Sequence, residues 1–255
     1  RGVAQPGSAP VLGTGGRRFE SCRPDKKLRS LFFLAFLFIY KSRCTFISYQ
    51  DWVTFKNEYR LMIITIARQC GCGAVNVGKL LAEHYGIPFY TRKSLLQMAS
   101  EKGVLDEMEA FFEERPVDEL LFAMSSFGET RKDSTERPLR VLADMIGDEN
   151  CIIIGRCGNY IFRERKDLVS VFLKGTMKSR IADIQMEQNL SYEDAKEFVE
   201  QLDDCRVAYH KYYTGLTWGD ANDYDICLDS DRLGTEKTAS MIERYVEQIG
   251  LDNEK

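Results

Sequence analysis

The sequence predicts an α/β fold: a parallel sheet with helices packed on both faces. Three observations carry this. Five short, mostly apolar and β-branched runs are separated by stretches of helical periodicity, the pattern of strands buried on both sides. A glycine-rich turn follows the first run directly. Arginines recur just past the carboxyl ends of the runs, where open parallel sheets bind their ligands.

The first strand is expected over Met62–Ile66 (MIITI), followed by the stretch ARQCGCGAVNVGKLLAEHYG. Read literally, it contains the phosphate-loop pattern G-x-x-x-x-G-K as Gly73, Gly78 and Lys79, but position 80 is Leu where a magnesium-binding Ser or Thr belongs. A helix starting at Gly78 would have only two turns before Gly86. A helix over 74–85 aligns Val77, Leu80, Leu81 and Tyr85 and ends at Gly86 as its cap. The second register is the better one. It makes Gly71-Cys72-Gly73-Ala74 the turn whose backbone N–H groups converge on an anion, with Arg68 as the charge and Lys79 facing solvent. A plain strand-to-helix connection would need the same glycines.

Pro88–Tyr90 is the second expected strand, then Cys151–Ile154, Val169–Leu173 and Tyr224–Leu228. Helices are expected at 93–102, 105–114, 117–127, 137–147, 177–189, 192–213 and 235–249. Arg156 leaves the third strand through Gly155, so it emerges either at the ligand-bearing edge or onto a surface carboxylate. The helix at 192–213 opens on a capping pair, Ser191 and Asp194. Its apolar stripe is Ala195, Phe198, Val199, Leu202, Tyr209 and Tyr213, and Arg206 falls within it. A guanidinium there is desolvated unless it meets a ligand or carboxylate, or snorkels out; Asp203 lies three residues away. Arg180 opens the helix after the fourth strand. Together these groups suit phosphoryl transfer, which needs positioned cations, magnesium and a closing lid.

The net charge of −4 conceals an asymmetry: residues 1–61 carry 11 Lys and Arg against 4 Asp and Glu, and 62–255 carry 24 against 35. An acidic body argues against non-specific nucleic-acid binding. Eight cysteines without a C-x-x-C pair, and only two histidines, support no zinc site and read as the free thiols of a cytosolic protein. Residues 31–40 (LFFLAFLFIY) are too few to span a bilayer. The first Met is Met62, and residues 2–25 (GVAQPGSAPVLGTGGRRFESCRPD) resemble a conceptual translation of a transfer-RNA gene and its flank. Residues 1–61 are therefore expected to be a disordered or non-native extension, and 62–255 the functional domain.

ITIARQCGCGAVNVGKLLAEHYGIPFY, IIIGRCGNYIF, VFLKGTMKSRI and above all DDCRVAYHKYYTGLTWGDANDYDICLDS resemble the cytidylate kinase-like family, a branch of the P-loop nucleoside monophosphate kinases. The resemblance runs from Met62 to about Ile249. It implies a five-stranded, three-layer sheet with a helical lid at about 177–220, ATP and Mg²⁺ as cofactors, and a nucleoside monophosphate such as CMP as acceptor. By position, Arg68, Gly71, Cys72, Gly73 and Ala74 would face the ATP phosphates. Arg92 and Arg156 would face the acceptor, and Arg180 and Arg206 would close with the lid. The family's Gly-Ser-Gly-Gly turn is here Gly71-Cys72-Gly73-Ala74, its Asp-Arg is Thr91-Arg92, and its Arg-Glu is Val75-Asn76. The leading expectation is a nucleotide kinase that binds neither nucleic acid nor, through 62–255, a membrane. The altered turn keeps a second open: a nucleotide sensor or interaction module with little turnover. A third is a form tethered to membrane through 31–40.

Overall fold

The computed structural model describes residues 62–112 and 130–250. The expectations for 1–61, including the apolar run at 31–40, and for a helix at 117–127 lie outside the described residues. Five strands form one sheet: β1 (Ile63–Arg68), β2 (Phe89–Tyr90), β3 (Cys151–Ile154), β4 (Leu168–Lys174) and β5 (Ile226–Asp229). Their order is β2-β3-β1-β4-β5, and every pairing is parallel.

The apolar runs are continuous because both faces are covered. Ile63, Cys151 and Ile153 turn to one side and join a core with α2 (Arg92–Glu101), α3 (Leu105–Phe112), α4 (Thr130–Ile146) and α5 (Gly158–Ile161). Ile64, Ile66, Ile152, Ile154, Val169, Val171 and Leu173 turn to the other, against α1 (Ala74–Tyr85) and α8 (Ser230–Gln248). A third, smaller cluster lies in the hairpin of α6 (Met177–Gln188) and α7 (Tyr192–Thr214), where Ile181, Ile184, Ala195 and Val199 pack with Cys70.

Several boundaries moved for identifiable reasons. The fifth strand is shorter at its start because the chain bends at Asp225, which accepts hydrogen bonds from the Ser170 backbone N–H and hydroxyl at 2.7 Å each. Helix α4 begins well before 137 and carries Pro138 inside it. Helix α8 begins at Ser230, but Gly234 breaks it (φ 72°, ψ 169°), so the expected start at 235 marks the true kink. The one-turn helix α5 is too short to show periodicity. Ser191 caps α7 by accepting from the Asp194 N–H, and left-handed Gly215 ends it. Phe198, counted in the apolar stripe, is exposed.

Candidate active site

The turn after β1 follows the second register. Gly73 sits in the left-handed region (φ 62°) directly before Ala74, and Gly86 caps the other end of α1. Gly78 is buried in mid-helix, where a Cβ would run into the Phe89 ring and crowd Ile154. It is a packing glycine, and Lys79 is exposed. Among the described residues no side chain caps the N-terminus of α1, and its first turn holds no acidic residue, so the partial positive charge there is uncompensated. Gly71 (φ 80°) is required twice over, because a Cβ there would lie 2.5 Å from the Arg180 carbonyl oxygen.

Arg180 and Arg206 reach the turn from the α6–α7 hairpin, and Asp203 joins them to it. One Asp203 oxygen accepts from the Cys70 backbone N–H at 2.7 Å and lies 3.5 Å from the Arg206 guanidinium. The other pairs with Arg180, which also donates to the Cys70 carbonyl at 3.3 Å. Arg206 donates to the Arg68 carbonyl at 3.3 Å. The desolvated guanidinium inside the apolar stripe of α7 thus lies over the sheet edge, with 11% of its side chain exposed.

The third-strand elbow is strained. Gly155, Arg156 and Cys157 are all left-handed (φ 74°, 57° and 53°), which is costly for the two non-glycine residues. Gly155 leaves room for Arg68, whose Nη1 would stand 2.6 Å from a Cβ. Arg156 is buried and donates to the carbonyls of Phe111 (2.9 Å) and Phe112 (3.2 Å), with its guanidinium 5.2 Å from the Tyr209 ring centroid. It therefore ties down the end of α3 while also lining the cleft. Arg92 is exposed at the start of α2 and lines neither cleft described next.

Two clefts open at this edge. One lies over the glycine turn, lined by Gly71, Cys72, Gly73, Ser179, Arg180, Asp183, Asp231 and Thr235. The other lies between β1, β3 and α7, lined by Thr65, Arg68, Arg156, Asn159, Arg206, His210 and Trp218. Burial raises the Cys72 thiol to about 11 and also raises Cys70, so both stay neutral at pH 7. In the first cleft, burial and then the nearby Asp231 raise the Asp183 carboxyl. Hydrogen bonds from Ser179 and Thr176 lower Asp231. Among the described residues, no group of three or more His, Cys, Asp and Glu side chains converges as a metal site would.

Sequence reasoning paired Asp203 with Arg206 but missed its bond to Cys70, 133 residues away, because no local pattern reports such a contact. Thr65, Asn159, His210, Asp183 and Asp231 were missed too. A polar residue inside a strand, Thr65 in IITIAR, was the one signal available. The long WGDANDYD motif serves mainly to place β5. Trp218 packs edge-on to Phe172 at 5.3 Å, Asp220 caps the one-turn helix Ala221–Asp223, and Asp225 ties to Ser170.

The chain is similar to known proteins. The chain is 23% identical over 192 residues to the cytidylate kinase of Methanopyrus kandleri, covering 74% of this chain and 94% of that one. It is 26% identical to the cytidylate kinase of Methanosarcina mazei, covering 74% and 98%. The solved structure of an uncharacterized protein from Eubacterium ventriosum is 25% identical, covers 74% of this chain and 99% of that one, and superposes with a TM-score of 0.57. The model of the cytidylate kinase-like family matches residues 63–232, which take in every strand, the glycine turn and the arginine hairpin, and the chain belongs to that family.

Proposed function

We propose that the protein transfers the terminal phosphoryl group of ATP to a phosphate oxygen of a nucleoside monophosphate, CMP being the acceptor its relatives' names suggest. One observation carries this reading: an uncapped helix N-terminus behind two left-handed glycines lies within one network of Arg68, Arg180 and Arg206. The backbone N–H groups of the turn and the α1 dipole suit the ATP phosphates. The hairpin α6–α7 would be the lid, and its arginines would neutralise charge on the phosphoryl group in flight. The acceptor would occupy the second cleft beside Arg68, Arg156 and Arg206. A phosphate oxygen of the acceptor bonds to the γ-phosphorus as the bond to the β,γ-bridging oxygen breaks, and ADP leaves.

The donor set of the first cleft also fits magnesium. Two carboxylates, Asp183 and Asp231, line it, and these are the oxygen donors magnesium takes alongside substrate phosphates. Magnesium, held by those carboxylates, would supply charge neutralisation on the phosphates.

A second reading, a nucleotide sensor with little turnover, is favoured by one specific feature. With Gly73 directly preceding α1, the lysine and hydroxyl positions of a Walker-type loop are Ala74 and Val75. A coupled ADP-release assay of the full chain over all nucleoside monophosphates separates the two. The kinase reading expects magnesium-dependent turnover with at least one acceptor. ATP binding in calorimetry without turnover on any acceptor would leave the sensor.

A further inference from the structure

We infer that Thr65 and His210 form a neutral hydrogen-bonding floor in the second cleft that grips an oxyanion of the acceptor beneath the arginines. The inference rests on the acceptor occupying that cleft. Thr65 Oγ1 and His210 Nε2 are buried, in residues 2% and 3% exposed, and neither atom has a hydrogen-bond partner among the described residues. Both residues line the same cleft. Buried polar atoms are nearly always paired, so two such atoms in residues that line one cleft point to something that binds there.

Neither group has a packing reason to be polar. Thr65 uses its methyl to pack beneath Gly158, where a Cβ would come within 2.8 Å of it, and a valine would fill that place equally well. His210 places Nδ1 3.6 Å from the Cys157 sulfur. Burial keeps the thiol protonated, its pKa pushed up to about 12, and keeps the imidazole neutral, its pKa pushed down to about 4. With the S–H as donor to Nδ1, the pair puts the ring proton on Nε2, the tautomer this inference requires. The threonine hydroxyl and Nε2–H are then two neutral donors in a space also lined by Arg68, Arg156 and Arg206. They add hydrogen bonds without adding another desolvated cation. A cleft so rich in donors selects a group rich in acceptors, which on a nucleoside monophosphate is the phosphate.

The test uses the ¹⁵N-labelled full chain, in which His84 and His210 are the only histidines, so imidazole nitrogen spectra assign readily. CMP is titrated with and without ATP, and its binding is measured independently by calorimetry. His210 should be protonated on Nε2, and that resonance should move with CMP and not with ATP alone. Thr65→Val and His210→Phe should each weaken CMP binding about tenfold or more. ATP affinity should stay within about twofold, the scale of a site left untouched. Melting temperatures should hold or rise, since each change removes an unpaired buried atom. His210→Gln, which restores a donor, should recover part of the loss.

An Nδ1-protonated ring would overturn the inference, as would an unmoved His210 signal while CMP binds with measurable heat. Variants that melt higher with unchanged CMP affinity would also overturn it, by showing that bound water alone fills the floor. If no nucleoside monophosphate gives heat, the acceptor reading fails and takes this inference with it, an outcome the calorimetry identifies separately from the histidine signal.

Discussion

Asp203 holds two arginines and a backbone N–H of the glycine turn with a single carboxylate, so its charge matters more than its shape. Asp203→Asn keeps an acceptor for the Cys70 N–H but releases Arg180 and Arg206 from their counter-charge. Losing hydrogen bonds to charged groups at a site this enclosed should cost about 1.5–3 kcal/mol of stability, read from urea melts. If the arginines act on the phosphoryl group, kcat should fall by at least tenfold, on the order of what one misplaced electrostatic donor costs. A stability loss with unchanged kcat would assign Asp203 to folding alone. His210 supplies a second residue-level test. Its folded pKa of about 4 lies below the ordinary 6.5 because burial penalises the cation. The unfolded chain therefore binds a proton between those values and the folded chain does not. Stability from this group is fully present above pH 6.5 and is lost as pH falls towards 4. The loss is on the order of 3 kcal/mol, and His210→Phe should remove that part of the slope in urea melts from pH 4.5 to 7.

At the scale of the element, α1 decides how the opening motif works. The helix starts at Ala74, so Gly78 is a packing site against Phe89, and Lys79 lies on the solvent face. Lys79→Ala should therefore change stability by less than about 0.5 kcal/mol and leave the ATP KM unaltered. Gly71→Ala should do the opposite. The new Cβ would press on the Arg180 carbonyl from a left-handed backbone, displacing the hairpin from the turn. Turnover should be lost together with at least about 2 kcal/mol of stability. Equal behaviour of the two variants would overturn this reading of the loop. The helix was legible in the sequence because its apolar positions recur at helical spacing between two glycines. Its contact with Arg180 was not, since a clash between residues 71 and 180 leaves no mark on either segment. Arg156 was half legible. Its place after β3 follows from the strand-glycine pattern, while its bonds to the Phe111 and Phe112 carbonyls depend on where α3 ends in space.

For the molecule as a whole, the separation of the apolar clusters predicts where it opens. The sheet is held between two large cores, whereas the α6–α7 hairpin rests on a small cluster of Ile181, Ile184, Ala195 and Val199 around Cys70. Hydrogen exchange should be faster across 177–214 than in β1 and β4, and ATP should slow it, since the hairpin rests on the smallest of the three clusters and the nucleotide would bridge it to the turn. Uniform protection with no response to ATP would argue against a moving lid.

The sequence by itself determined the α/β class, the register of the glycine turn and the arginines worth watching. Each of these follows from local periodicity, capping residues or position after a strand, and these act over a few residues of chain. Only the tertiary structure decided that Asp203 binds the glycine turn to both hairpin arginines, that Arg156 also secures α3, and that Thr65 and His210 share one cleft. Those contacts join segments separated by up to 145 positions, and their energies come from burial and charge in a space that no single segment encloses.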